Sequence, residues 1–204
     1  MGSRERAELA LALATVLAIA GGVGARAATT IITIDVDGVT PQRATIRMGG
    51  AVQWENQDVT PHRIVSTPEG FFHTGRIEPS ATSDPEVFIS SGTFPYGAPI
   101  DPDIRGSVRV PVKVRPADKA TPTPGATITL RVALERRSHR VYDVQRRRKD
   151  GRWITIIAHT KDVRIEFVPQ QTGTYWFRAR VTKTRANITS KWSPPKEKFV
   201  APPP

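Results

Sequence analysis

From residue 28 onward, apolar residues recur at every second position in short runs, and nowhere do they keep the 3.6-residue spacing of a helix. "TTIITIDVDG" opens the series and "YWFRARV" shows it most cleanly. In the latter, Tyr175, Phe177, Ala179 and Val181 point to one face, while Trp176, Arg178 and Arg180 point to the other. With 18 Pro and 15 Gly as punctuation, the pattern predicts many short strands joined by turns. An all-β chain of 204 residues is long enough for two β-sandwich domains.

"RPADKATPTPGA" divides the chain, being rich in Pro, Thr and Ala and free of bulky apolar residues. The expected organisation is a signal segment over 1–27, a first domain over 28–115, a linker over 116–125 and a second domain over 126–204. The signal segment is expected from a charged lead, an apolar run of about 15 residues and Ala25-Arg26-Ala27 before Ala28. The run is shorter than the ~20 residues that span a bilayer. Export to the cell envelope or beyond follows, with membrane contact only through an uncleaved signal or anionic headgroups. The sequence has no cysteine, which excludes thiolate nucleophiles, Cys-ligated metals and disulfides.

Charge divides with the domains. Residues 28–117 carry 8 Lys and Arg against 10 Asp and Glu, a net of −2. Residues 118–204 carry 19 against 7, a net of +12. The basicity of the chain belongs to its second half, where an anionic partner is to be sought.

In the first domain, "ATIRMGGAVQWENQD" with His62 shortly after, and then "GTFPYGAPIDPDIRGSVRV", carry the most specific pattern. Together they resemble the cupredoxin family, the plastocyanin-like blue-copper sandwich. Gly92, Phe94, Tyr96, Gly106 and Val110 fall where the family's closing segment places them. The resemblance implies a Greek-key sandwich and puts the four copper-ligand positions at His62, Ala98, Asp101 and Ile104. A blue-copper centre needs a thiolate, two imidazoles and a thioether. Ala98 and Ile104 offer no donor atom, and Asp101 offers a hard carboxylate. The expectation is therefore no cofactor, with His62 a loop histidine left at a ligand position. The alternative is weak copper binding at His62 and Asp101, helped by Asp103 or His73.

The second domain reads as alternating strands, with an Asp150-Gly151 turn signal between two of them. Tyr142-Asp143-Val144-Gln145, Trp153, Thr174-Tyr175, Phe177-Arg178 and Trp192-Ser193-Pro194 resemble a fibronectin type III domain. The resemblance implies a tyrosine corner at Tyr175 and departs at "TLRVAL", which lacks the usual core Trp. On the outward face, Trp176, Arg178, Arg180 and Trp192 are expected to stack as alternating indole and guanidinium planes. "RRRKDGR" adds Arg146, Arg147, Arg148, Lys149 and Arg152 at an expected hairpin tip. These nine residues are the candidate surface for an anionic cell-wall polymer, a polysaccharide or a protein partner. The other reading is a ladder that stabilises only itself. Phosphates of nucleic acid would attract the same patch, but export removes the protein from that partner.

The histidines, His62, His73, His139 and His159, are scattered, and neither a nucleophile elbow nor a phosphate-cradling glycine loop occurs. No catalytic residues are assigned. The sequence points to a non-enzymatic binding or adhesion protein of the cell envelope, with a copper-handling protein as the alternative.

Overall fold

The structure, a computed structural model, describes residues 28–116, 120–149 and 151–203. The expected signal segment lies outside the described residues, as do residues 117–119 of the linker region. Every regular element is a strand.

The first sandwich comprises β1 (Thr29–Asp35), β2 (Gly38–Thr40), β3 (Arg43–Thr45), β4 (Ala51–Asn56), β5 (His62–Ser66), β6 (His73–Ile77), β7 (Glu86–Val87), β8 (Gly92–Ala98) and β9 (Asp101–Val110). One sheet has the order β2-β1-β4-β7 and the other β3-β9-β8-β5-β6. The pairs β1/β4 and β3/β9 are parallel, so the chain crosses between sheets rather than meandering within one. Strand β8 shows why the residues choose their faces. Gly92, Phe94, Tyr96 and Ala98 are buried, while Thr93, Pro95 and Gly97 are partly exposed. Trp54 sits at the centre of the core, stacked on Phe72 at 5.3 Å and meeting Tyr96 edge-on at 5.4 Å. Phe88 and Phe94 extend this aromatic chain towards the second sandwich.

The second sandwich comprises β10 (Lys113–Arg115), β11 (Ile128–Arg131), β12 (Arg140–Arg148), β13 (Ile154–Thr160), β14 (Arg164–Phe167), β15 (Gly173–Lys183), β16 (Ile188–Thr189) and β17 (Lys196–Val200). Its sheets are β10-β11-β14 and β13-β12-β15-β16, with β17 also paired to β15. Strand β10 hydrogen-bonds to β11 although it precedes the Pro/Thr segment. Residues 113–115, expected to end the first domain, therefore lie in a sheet of the second. Ile128, Leu130, Val144, Phe177, Ala179 and Val181 fill the core between the sheets. Leu130 and Val132, both fully buried, occupy the stretch that lacks the aromatic residue.

The two sandwiches share one continuous apolar core. Main-chain bonds join them: Ser91 N donates to Val132 O at 2.8 Å, and Leu134 N to Ile89 O at 2.9 Å. Thr93 and Lys191 exchange a further pair, at 2.9 and 3.0 Å.

Gly106 is the tightest steric constraint in the closing hairpin. It pairs across the hairpin with Tyr96, and a Cβ there would collide with the Tyr96 ring and lie 2.7 Å from Gln42 O. Gly106→Ala is expected to lower unfolding free energy by about 1–3 kcal/mol, the usual cost of overfilling a packed site. Urea unfolding of the full chain measures it, and a change within error of zero would mean that Tyr96 can move aside.

Candidate functional site

Two places concentrate the chemistry singled out in the sequence: the far end of the first sandwich and the outer face of the β12/β15 sheet.

At the first, His62 opens β5 and is only 4% exposed. The preceding loop holds it through a chain of polar contacts rooted in the core. Asn56, fully buried, donates Nδ2 to Thr60 O at 2.8 Å and Ile77 O at 3.1 Å. Its Oδ1 accepts from Asp58 N at 3.0 Å. Asp58 Oδ2 accepts from Thr60 Oγ1 at 2.8 Å and lies 2.7 Å from His62 Nε2. These bonds, the one to His62 foremost, hold the Asp58 carboxyl below the usual carboxylate range. His62 Nδ1 is buried with no hydrogen-bond partner among the described residues.

The other three ligand positions lie on the β8/β9 hairpin. Ala98 pairs with Asp101, so only residues 99 and 100 form the tip, and the register shift between Gly97 and Ala98 sets residues 102–104 out as a bulge. The expected Pro- and Asp-bearing loop is thus mostly strand. Ala98 and Ile104 turn inward and belong to the apolar core. Asp101 Oδ1 accepts from Asp103 N at 3.1 Å, so its carboxylate closes its own turn. Among the described residues no three His, Asp or Glu side chains converge as a metal-binding group, and so no three of His62, His73, Asp101 and Asp103 do.

The second place is an alternating stack of six side chains. Its order is Trp176, Arg147, Trp153, Arg178, Trp192, Arg180, with guanidinium-to-ring distances of 5.3, 5.0, 4.1, 4.6 and 4.5 Å. Strand register explains the spacing. Across β12/β15, Arg147 faces Trp176, Gln145 faces Arg178 and Asp143 faces Arg180, all on the outer parity. Gln145 Oε1 accepts from Arg178 Nε and Nη2 at 3.0 and 2.7 Å. Asp143 Oδ2 accepts from Arg180 Nε at 2.8 Å, and its Oδ1 from His159 N at 2.9 Å. Trp192 is pinned from behind by Ser193, whose Oγ accepts from Ala179 N at 3.1 Å and whose N donates to Ala179 O at 2.8 Å. Burial, then the neighbouring charges of Arg147 and Arg180, lowers the proton affinity of Arg178. Tyr175, on the inner parity, donates its hydroxyl to Gln171 O at 3.0 Å.

The structure brings together the four expected members Trp176, Arg178, Arg180 and Trp192, and adds Arg147 and Trp153. Pairing β12 against β15 in the sequence would have exposed Arg147, because it shares the outer parity of Asp143 and Gln145. Trp153 lies outside any strand and carried no such signal. The run Arg146-Arg147-Arg148 is not a hairpin tip but the end of β12, and its members part company. Arg146 lies over Phe167 at 5.4 Å. Arg148 lies over Tyr175 at 5.9 Å and donates to Gln171 Oε1 and, at 3.2 Å, to Thr172 O. Lys149 and Arg152 stay exposed at the turn.

No family model matches the chain, and no curated protein matches it. Similar solved structures include a purple cupredoxin from Nitrosopumilus maritimus, 24% identical, covering 39% of this chain and 97% of that one with a TM-score of 0.37. A reduced amicyanin variant is 18% identical and covers 44% of this chain and 86% of that one, with a TM-score of 0.37. A second amicyanin variant, in its oxidised state, is 19% identical over 39% of this chain and 79% of that one, with a TM-score of 0.35.

Two predictions follow from the stack. Trp192 contacts two guanidinium groups and Trp176 one, and each contact contributes about 0.5–1 kcal/mol at such a site. Trp192→Ala is expected to lower stability by about 1–2 kcal/mol in urea unfolding, and Trp176→Ala by about half as much. At Asp143, burial raises the pKa, but the His159 N–H and Arg180 outweigh it and the net direction is down. A depressed folded pKa gives stability that is present above the unfolded value of ~4 and is lost as pH falls through the folded one. Stability measured from pH 6 down to about 2 is expected to fall less steeply in Asp143→Asn than in the unaltered chain.

Proposed function

We propose that the chain is an exported, non-enzymatic binding protein of the cell envelope. In this reading a cupredoxin-type sandwich that has lost its copper centre carries a fibronectin type III-type sandwich, which contacts anionic polymer or a protein partner. The observation that carries the reading is where the charge lies: a net of −2 over residues 28–117 against +12 over 118–204. Such asymmetry draws polyanions to one half of the molecule. The stack narrows which cations do this. Arg147, Arg178 and Arg180 lie against indoles, leaving the contact to the cations outside the stack.

Support for the fibronectin-type assignment comes from the Tyr175 hydroxyl bonded to Gln171 O, and from Trp192-Ser193 locked against β15. Support for a cupredoxin-type sandwich without copper comes from the donor set. His62 Nδ1 has no partner, which suits a metal ligand, yet it is one donor atom. Ala98 and Ile104 supply none, and Asp101 already accepts a main-chain bond. Type 1 copper requires a thiolate, and these residues do not fit it.

Purified chain beginning at Ala28 is expected to bind polygalacturonate saturably at an ionic strength of roughly 0.15 M, where the Debye length of ~8 Å screens long-range attraction. Absence of saturable binding there overturns the reading. Addition of Cu(II) is expected to produce no intense visible charge-transfer band, and a Cu(II) affinity lost in His62→Ala would favour copper handling instead.

A further inference from the structure

Apart from the stack and the hairpin turn, the molecule has a second basic feature where loops of the second sandwich meet the first. Two adjoining cavities, about 360 and 400 Å³, share a wall made of Arg137, Ser138, His139 and Arg140. Arg136 and Lys161 complete the lining cations of the first cavity, Lys183 and Arg185 those of the second. Gly70 contributes to the second from the first sandwich, so the cleft needs both units. Among the described residues, no Asp or Glu lines either cavity.

The cleft is held in shape by bonds independent of any ligand. Thr184 N donates to His139 O at 2.9 Å, joining the β11–β12 loop to the end of β15. His139 and Asn187 both adopt left-handed backbone, at φ 57° and 51°, which turns their loops sharply at this point. Lys183 Nζ donates to Gly70 O and, at 3.3 Å, to Phe71 O; Arg140 Nη1 donates to Ser90 Oγ at 3.4 Å. The two sandwiches thus share the cations that form the floor.

Around the cleft stand three carboxylates. Glu135 pairs with Arg137, Asp162 with Arg136, and half-buried Glu86 lies near Lys183 and Arg140. Six lining cations against these three leave an excess of three positive charges. Burial lowers the proton affinity of both Arg140 and Lys183, and of the two Lys183 also feels Arg140 directly. Lys161, lining the first cavity, and Arg185, lining the second, are exposed and form no salt bridge among the described residues. A surface cleft lined by one sign of charge raises the local concentration of an incoming anion. Arg in such a wall recognises the paired oxygens of phosphate and sulfate.

We infer that this junction cleft is the anion site of the protein, taking two successive phosphate or sulfate groups of one linear polyanion, one in each cavity. The inference rests on the polyanion-binding reading and moves its centre from the Arg146–Arg152 run to the meeting of the two sandwiches. Among the described residues no Phe, Tyr or Trp lines either cavity, which gives a nucleobase no stacking platform there. Recognition falls to the oxyanions themselves, with the Ser138 and Thr184 hydroxyls beside them.

Calorimetric titration of the chain from Ala28 with tripolyphosphate and, separately, with a sulfated hexasaccharide tests this. Two double variants are compared, each with the same change in net charge. Lys161→Glu with Arg185→Glu alters the cleft at exposed positions, and Lys149→Glu with Arg152→Glu alters the hairpin turn. The cleft variant is expected to lose about tenfold or more in affinity for at least one probe, and the hairpin variant about twofold or less. Whichever probe shows the loss identifies phosphate or sulfate as the source. Equal losses in both variants, or a loss confined to the hairpin variant, would overturn the cleft while leaving the polyanion reading in place. So would polygalacturonate binding without binding of either probe. Matching urea midpoints for the three proteins exclude unfolding as the cause.

Discussion

The segment 89–93 is bonded to the second sandwich at both ends, through Ile89 and Ser91 to Leu134 and Val132 and through Thr93 to Lys191. Four main-chain bonds at about 0.5–1.5 kcal/mol each would not hold two domains together alone. They matter because leaving those groups unpaired in a sealed interface costs more than the bonds contribute. Ser90 and Ser91 are almost fully buried there, so while the seam is closed their polar atoms need protein partners. Once this seam is closed, Phe88 and Phe94 join the apolar cluster of the second unit, and Gly70 comes to rest under Lys183. β10 has already entered the second sandwich before the Pro/Thr segment begins.

Much of the fold was legible because side-chain alternation is a local property. Gly92 to Ala98 and Tyr175 to Val181 bury alternate residues as their letters imply. The stack was legible in part for the same reason. Trp176, Arg178 and Arg180 share one parity of one strand, but Arg147 reaches them only through cross-strand register and Trp153 through a loop path. Reading "RRRKDGR" as one charged tip failed because a strand continued through it, so alternation sent Arg146 and Arg148 to the inner side and Arg147 to the outer. The junction cleft was not legible at all. Its walls come from residues 70, 136–141, 161 and 183–186, and only the seam brings them within reach.

The far end of the first sandwich separates what a fold needs from what a metal centre needs. Tyr96 over Gly106, with Phe94 and Val108 inside, closes the β8/β9 hairpin whatever stands between. Ala98 and Ile104 add apolar surface to that closure, where polar donor atoms would have to be buried in a coordinating geometry. His62 keeps a buried place because Asp58 and the Asn56 loop hold its Nε2 side. The same contact would orient an imidazole towards a metal or simply satisfy a buried one, and only further donors could distinguish the two.

Arginine stands in two different settings within this one basic domain, and the difference lies in how much water each guanidinium keeps. In the stack, indole faces replace solvent on both sides of Arg178, and Gln145 takes its in-plane donors. A cation so enclosed has few donors left for an external anion, and reaching it would mean breaking the packing that positions it. Arg185 and Lys161 are the opposite case, exposed and without a salt bridge among the described residues, beside Arg140 and Lys183, whose proton affinity burial lowers. On the proposed reading, an anion there would meet exposed Lys161 and Arg185 beside half-buried Arg140 and Lys183, without disturbing either sheet. Net charge alone would treat the two sets as equal. Their surroundings differ: the stacked guanidinium groups are packed against indoles, while Lys161 and Arg185, lining the cleft, face solvent.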